Sequence, residues 1–262
     1  MILETIAKEA VERVKRDKLK ISFDEMKKRA QSIQKEPFLF EKALRKEGLH
    51  FICEVKKASP SKGIIANEFP YVTIAKDYEA ADATCISVLT EPNYFLGSDG
   101  YLTEIAETVK IPVLRKDFTI DEYQIYQAKA IGADCVLLIV ALLSLEQLKQ
   151  YLKICELIGL SAIVEAHDEE EVKIAVEAGA RILGINNRNL KNFEVDITNS
   201  LRLRNLIPED VICIAESGIK NREDIIKFEE ARIRVFLIGE TLMKSENKKR
   251  KLEELRGIVD KN

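Results

Sequence analysis

The chain has 262 residues, of which 46% are hydrophobic and 32% charged, with a formal net charge of −3. That balance suits a folded globular protein and excludes a disordered or low-complexity one. Basic and acidic residues are interspersed, so no block marks a nucleic-acid surface, and no run is apolar enough to span a membrane.

The N-terminus, Met1-Ile2-Leu3-Glu4, soon alternates charges and has no apolar region of a secretory signal. The five cysteines (Cys53, Cys85, Cys135, Cys155 and Cys213) form no CxxC pair, and their odd number argues against a disulfide framework. They read as buried free thiols, which points to a reducing, cytoplasmic setting.

Residues 1–50 carry two amphipathic helical stretches, about 3–16 and 22–30, and a shorter one near 39–45. From residue 51 a single rhythm sets in. Short apolar runs at 51–56, 84–89, 112–116, 134–140, 161–165, 182–186, 211–216 and 235–239 read as strands. Helical periods fall between them, as at 120–131, 144–158 and 168–178. Asp121, Ser144, Asp168 and Asn221 stand where N-caps belong, and Gly132, Gly159 and Gly179 where helices stop. Alternation of strand and helix implies parallel strands and right-handed crossovers. The expected class is therefore α/β, a (β/α)8 TIM barrel of one domain over residues 1–262, with residues 1–50 as a helical extension packed on it. An open doubly wound sheet fits less well, because no GxGxxG turn occurs.

Active sites of such barrels lie at the C-terminal strand ends. The first strand carries Glu54 and Lys56, two apart and so on one face with Ile52. Buried opposite charges there are costly unless paired or used. Lys116, Glu165 and Glu216 end the third, fifth and seventh strands. Alternate strands feed one interior layer, so Lys56, Lys116, Glu165 and Glu216 form a charged layer in which a lysine is a general acid and a glutamate an opposing base. Ser217-Gly218 and Gly239-Glu240 follow the last two strands, the usual phosphate position. The Ser59-Pro60-Ser61-Lys62-Gly63 loop reads as a flap over an anionic ligand. His50 and His167 have no partners at metal-ligand spacing, so no metal site is expected; the parity of His167 points it to the surface or a loop. Arg115 should point outward, whereas Arg188, just past the sixth strand, is placed either to bind an anion or to form a surface salt bridge.

The segments Glu54 to Gly63, Leu114-Arg115-Lys116-Asp117-Phe118, Ile163-Val164-Glu165, Gly184 to Leu190 and Ala215-Glu216-Ser217-Gly218-Ile219 together resemble the indole-3-glycerol-phosphate synthase family. Ser87 to Ser98 also resembles that family's second strand-to-helix loop. The resemblance covers essentially the whole chain. It implies a step of tryptophan biosynthesis: closure of the pyrrole ring of 1-(2-carboxyphenylamino)-1-deoxyribulose 5-phosphate, with loss of carbon dioxide and water and no cofactor. It assigns Lys116 as general acid, Glu165 as acid/base in dehydration, and Lys56 to the substrate carboxylate and phosphate region, with a share in proton donation. Glu54 and Glu216 orient the lysines and sugar hydroxyls, and Asn186 holds the anilino or hydroxyl group. Arg188 resembles a carboxylate binder. Ser59, Ser217, Gly218, Gly239 and the backbone of Glu240 resemble a phosphate grip, and Phe118 and Leu190 resemble walls around the aromatic ring. The partner so implied is a phosphorylated small molecule, handled by a monomer without nucleic acid or membrane. Position 240 departs from the commonest family forms, since a glutamate has no hydroxyl for phosphate. No tryptophan is present in the first helices, so an aromatic lid there would need another residue. A phosphoribosyl isomerase would share the phosphate grip but usually needs paired strand-end aspartates, which are missing. A catalytically silent binding scaffold would not need the intact Lys56, Lys116, Glu165 and Asn186.

Overall fold

A computed structural model describes residues 2–189 and 192–258. Its centre is a closed barrel of parallel strands: β1 (His50–Val55), β2 (Cys85–Leu89), β3 (Val113–Lys116), β4 (Cys135–Ile139), β5 (Ser161–Ala166), β6 (Ile182–Asn186), β7 (Ile212–Glu216) and β8 (Val235–Ile238). Each strand pairs with its neighbour in sequence, and β8 closes on β1 through His50 opposite Val235. The strands are apolar on both sides because one face fills the barrel and the other packs under helices. Ile52, Leu114, Cys135, Ile163, Ile182 and Ile214 fill the interior. Phe40 and Leu44 of a short helix, α3 (Leu39–Leu44), join that cluster.

Helices α1 (Ile2–Lys20) and α2 (Phe23–Ser32) precede α3. Around the barrel run α4 (Tyr71–Ala80), α5 (Asp99–Thr108), α6 (Glu122–Ala130), α7 (Leu145–Ile158), α8 (Glu169–Glu177), α9 (Thr198–Leu203), α10 (Arg222–Glu230), α11 (Glu240–Met243) and α12 (Lys248–Arg256). The expected caps are in place. Asp121, Asp168 and Asn221 accept hydrogen bonds from the first turns of α6, α8 and α10, and Ser144 makes a full capping box with Gln147. Helix α6 lacks a one-sided apolar stripe, since residues Tyr123 to Ala128 are all buried. The reason is that α1 and α2 lie over its outer face, with Phe23 edge-on to Tyr126 at 5.6 Å. All five cysteines are buried free thiols. Among the described residues, no helix is long and apolar enough to cross a membrane.

The boundaries differ slightly from expectation. Strand β1 ends at Val55, so Lys56 is the first residue beyond it, and Val140 begins a 3-10 turn rather than ending β4. The loop after β1 folds on itself, with Ala58–Ser59 paired antiparallel to Gly63–Ile64.

Candidate active site

The C-terminal mouth of the barrel opens into a cavity of about 960 Å³. Glu54, Lys56, Ser59, Lys116, Phe118, Glu165, Asn186, Arg188, Glu216, Ser217, Gly218, Gly239 and Glu240 all line it. Of the residues singled out from the sequence, only Leu190 lies outside the described residues.

Alternation along the strands explains the convergence. Lys116 ends β3, and its Nζ lies 2.8 Å from Glu165 Oε2 on β5 and 2.7 Å from Glu216 Oε2 on β7. Burial alone disfavours the ammonium. The carboxylates of Glu165, Glu216 and Glu54 outweigh that penalty and hold Lys116 protonated well above the ordinary lysine range. Burial likewise pushes the Glu165 carboxyl up, but Lys116 and His167 overcome it and keep Glu165 ionised far below the usual carboxylate range. Glu216 moves the other way. Burial comes first, and the negative charges of Glu165 and Glu54 add to it, so that despite Lys116 the carboxyl is pushed up to about 7. Glu54 pairs instead with Lys56, which reaches back over the end of β1. The charged layer is thus built around Lys116, with the Glu54–Lys56 pair on its flank.

Two glycines make room for these long side chains. A Cβ on Gly184 of β6 would stand 2.2 Å from Glu216 Oε1, and one on Gly239, just past β8, 2.3 Å from Glu54 Oε2. Asn186 is held at both ends of its amide: Oδ1 accepts the Arg188 N–H at 3.0 Å, and Nδ2 donates to Glu165 Oε1 at 3.3 Å. The Arg188 guanidinium donates to the Phe193 carbonyl at 3.1 Å. Arg188 makes no hydrogen bond or ion pair to a carboxylate among the described residues, unlike the surface salt bridge considered for it. Ser217 has φ +68° and Gly218 φ +86°, a pair of left-handed residues that turns the backbone sharply at the end of β7. A side chain at Gly218 would collide with Val195 and Ile197. The Glu240 carboxylate is occupied by Lys244 at 2.7 Å and by Lys62 of the β1 loop at 3.5 Å.

Three features were not evident from the sequence. His167 lies in the loop after β5, as expected, but not at the surface. Its side chain is only 14% exposed, with Nε2 3.3 Å from Glu165 Oε1 and Nδ1 2.9 Å from Glu171 Oε2. Strand parity ceases to apply because β5 ends at Ala166, and the turn into α8 brings the ring back against Glu165. The second is Phe95. Buried Glu91 accepts backbone N–H groups from Asn93, Tyr94 and Phe95 at 2.9, 2.7 and 3.0 Å, which shapes the loop after β2. The loop presents Phe95 to the cavity, its ring 6.0 Å from that of Phe118. An aromatic in the quoted Ser87–Ser98 motif was the available signal. The third is the anchoring of α1. Arg13 donates to Asp117 at 2.5 Å, while Tyr94 and Asn93 donate to Glu9 at 2.7 and 2.6 Å. Helix α1 thereby brings Ile2, Leu3 and Ile6 to the cavity rim, an aliphatic wall rather than an aromatic one. Arg115 does point outward, buried among Thr90, Asp99 and Gln127.

Fold and mouth together define a TIM-barrel enzyme with acid/base groups at its strand ends. Solved structures agree on the fold. 3-Hexulose-6-phosphate synthase from Salmonella typhimurium superposes with a TM-score of 0.66 at 13% identity, covering 80% of this chain and 98% of that one. Thiamine phosphate pyrophosphorylase from Pyrococcus furiosus gives 0.60 at 17% identity, over 81% and 96%. The sequence comparisons are sharper. The model of the family described as indole-3-glycerol phosphate synthase matches residues 3–255. A protein of that name from Ruminiclostridium cellulolyticum is 58% identical over 98% of this chain and 99% of its own length. One from Lachnoclostridium phytofermentans is 51% identical over 99% and 100%. The chain belongs to the indole-3-glycerol phosphate synthase family, carboxy-lyases of tryptophan biosynthesis.

Proposed function

We propose that Lys116 is the general acid of ring closure and Glu165 the acid/base of the dehydration that follows. The observation that carries this reading is the Lys116 ammonium held between Glu165 and Glu216 at 2.8 and 2.7 Å. When the anthranilate ring carbon attacks the ketone, its oxygen becomes alkoxide-like and far more basic than an amine. A fixed ammonium then stabilises the growing charge and gives up its proton. Carbon dioxide leaves, restoring the aromatic ring. Loss of water next requires a proton on the departing hydroxyl and removal of another from the adjacent carbon. Glu165, an ionised carboxylate beside Lys116, accepts the second proton while an ammonium supplies the first. Lys56, paired with Glu54, is the ammonium next to Lys116 in the charged layer and serves the substrate carboxylate and a share of proton donation.

The remaining groups bind. Ser59, Ser217, Gly218, Gly239 and the Glu240 backbone surround the ends of β1, β7 and β8, three neighbouring strands, and take the phosphate. The Glu240 carboxylate, neutralised by Lys62 and Lys244, leaves only its N–H for that task. Arg188 takes the substrate carboxylate, and Phe118 and Phe95 enclose the aromatic ring. Glu54, Glu216 and Asn186 orient the lysines and hydroxyls. We read the chain as one barrel domain with its helical extension, a cytoplasmic monomer, in keeping with five buried free thiols.

Glu165→Gln tests the division of labour. In a single turnover the variant should release carbon dioxide and accumulate the decarboxylated intermediate, with indole absorbance delayed by about 100-fold or more. Indole formation at the wild-type rate would remove Glu165 from the dehydration step.

A further inference from the structure

His167 follows Glu165 by two residues, and nothing in the roles above uses it. The ring lies between two carboxylates. Glu171, in the first turn of α8, accepts both the His167 backbone N–H at 2.8 Å and the ring Nδ1 at 2.9 Å through one oxygen. An acceptor-only carboxylate there requires the proton on Nδ1. In the neutral ring, Nε2 would then carry a lone pair. That nitrogen is buried, has no well-aligned hydrogen-bond partner, and faces Glu165 Oε1 at 3.3 Å. A lone pair opposite a carboxylate oxygen in a buried site is repulsive. The contact is tolerated only when Nε2 carries a proton. Lys116 already binds the other oxygen of Glu165 and favours its ionised form. The proton therefore belongs to His167.

We propose that His167 is a positioning residue for Glu165: an imidazolium, fixed by Glu171, that holds the Glu165 carboxylate ionised and aimed between Lys116 and Asn186. Burial works against the ring's charge, but Glu165 and Glu171 more than compensate and raise its pKa to about 10. The charged and polar groups facing the pair are Lys116 from β3, Asn186 from β6, Glu216 from β7 and Glu171 from α8, while Asn199 of α9 donates to the His167 carbonyl at 3.0 Å. Glu165 thus has a cation on each oxygen, Lys116 on Oε2 and His167 on Oε1. Substrate that engages Lys116 would leave the carboxylate with His167 as its remaining cation, so the base stays available at the later step.

The proposal rests on Glu165 acting in dehydration, and two independent readouts separate the two ideas. The chain has only two histidines, His50 and His167, so ¹⁵N spectra of labelled imidazoles resolve each ring, and loss of one set in His167→Gln assigns it. In the wild type at pH 8, both nitrogens of His167 should be protonated. In Glu165→Gln the ring should lose its proton at lower pH than in the wild type. A His167 ring that is neutral at pH 8 overturns the proposal whatever Glu165 does. The second readout is the pH profile of kcat. In His167→Gln the acid limb should move up by about one pH unit, since the carboxylate has lost a cation, with KM changed less than about twofold. Glu171→Gln, which keeps the shape of the cluster, should move the limb the same way by less. Profiles that superimpose on the wild type overturn the proposal. Should Glu165→Gln form indole normally, the dehydration role falls, while the charge state of His167 is still read from its ring nitrogens.

Discussion

Gly184 on β6 and Glu216 on β7 are complementary: a Cβ at position 184 would stand 2.2 Å from Glu216 Oε1. At position 184 strand β6 offers only backbone, and the carboxylate of its neighbour occupies the space. Gly239 does the same for Glu54. The charged layer of β1, β3, β5 and β7 has room because glycine stands beside it within β6 and just past the end of β8.

Gly184→Ala should therefore displace Glu216 from Lys116. The expected outcome is a folded protein, destabilised by about 1–3 kcal/mol from overpacking, with kcat reduced at least tenfold. Urea unfolding and steady-state kinetics check the two halves separately. Unchanged kcat would mean that the Glu216 position is immaterial to the chemistry.

The Arg13–Asp117 pair joins α1 to the loop that follows Lys116. Burial alone would raise the pKa of Asp117, yet Arg13 and Arg115 hold it below the ordinary range. A depressed carboxyl contributes stability that is present above the unfolded value of 3.8 and is lost as pH falls through the folded value. Arg13→Ala should cost about 1–3 kcal/mol near neutrality, because Arg115 and Thr90 still serve the carboxylate. The deficit should shrink as the pH drops below the ordinary aspartate range. Unfolding titrations at several pH values measure it, and KM should rise as Ile2, Leu3 and Ile6 lose their place at the rim.

Glu216 has the opposite sign. Its carboxyl, raised to about 7, retains a proton that the unfolded chain releases above 4.5. The native state binds more protons than the unfolded one in that window, so stability falls as pH rises from about 4.5 to 7. Glu216→Gln removes this slope. Relative to the wild type, the variant should gain on the order of 2 kcal/mol between pH 5 and 8, whatever its absolute stability. A constant difference across that range would show that Glu216 titrates normally.

The legible parts of this molecule were those set by period and parity. Buried parallel strands are continuous apolar runs, so all eight could be placed, and Asp121, Ser144, Asp168 and Asn221 marked helix starts by their chemistry. Lys116, Glu165 and Glu216 were legible because they stand at the ends of alternate strands, which feed one interior layer. His167 was not, since its position depends on a turn after β5 and on Glu171 capturing its ring. Glu91 was hidden for a related reason: its partners are backbone N–H groups, which no side-chain pattern announces. The docking of α1 rests on pairs more than 80 positions apart, Arg13 with Asp117 and Glu9 with Tyr94, beyond the reach of local periodicity.

The central claim is that the Lys116 ammonium starts the reaction. Single-turnover kinetics of Lys116→Met with the carboxyphenylamino-deoxyribulose phosphate test it most directly, with binding measured in parallel by competition with inorganic phosphate. Carbon dioxide release should slow by about 10²–10⁴-fold, since ring closure precedes it, while phosphate-sensitive binding persists. A variant that releases carbon dioxide at close to the wild-type rate would contradict the account.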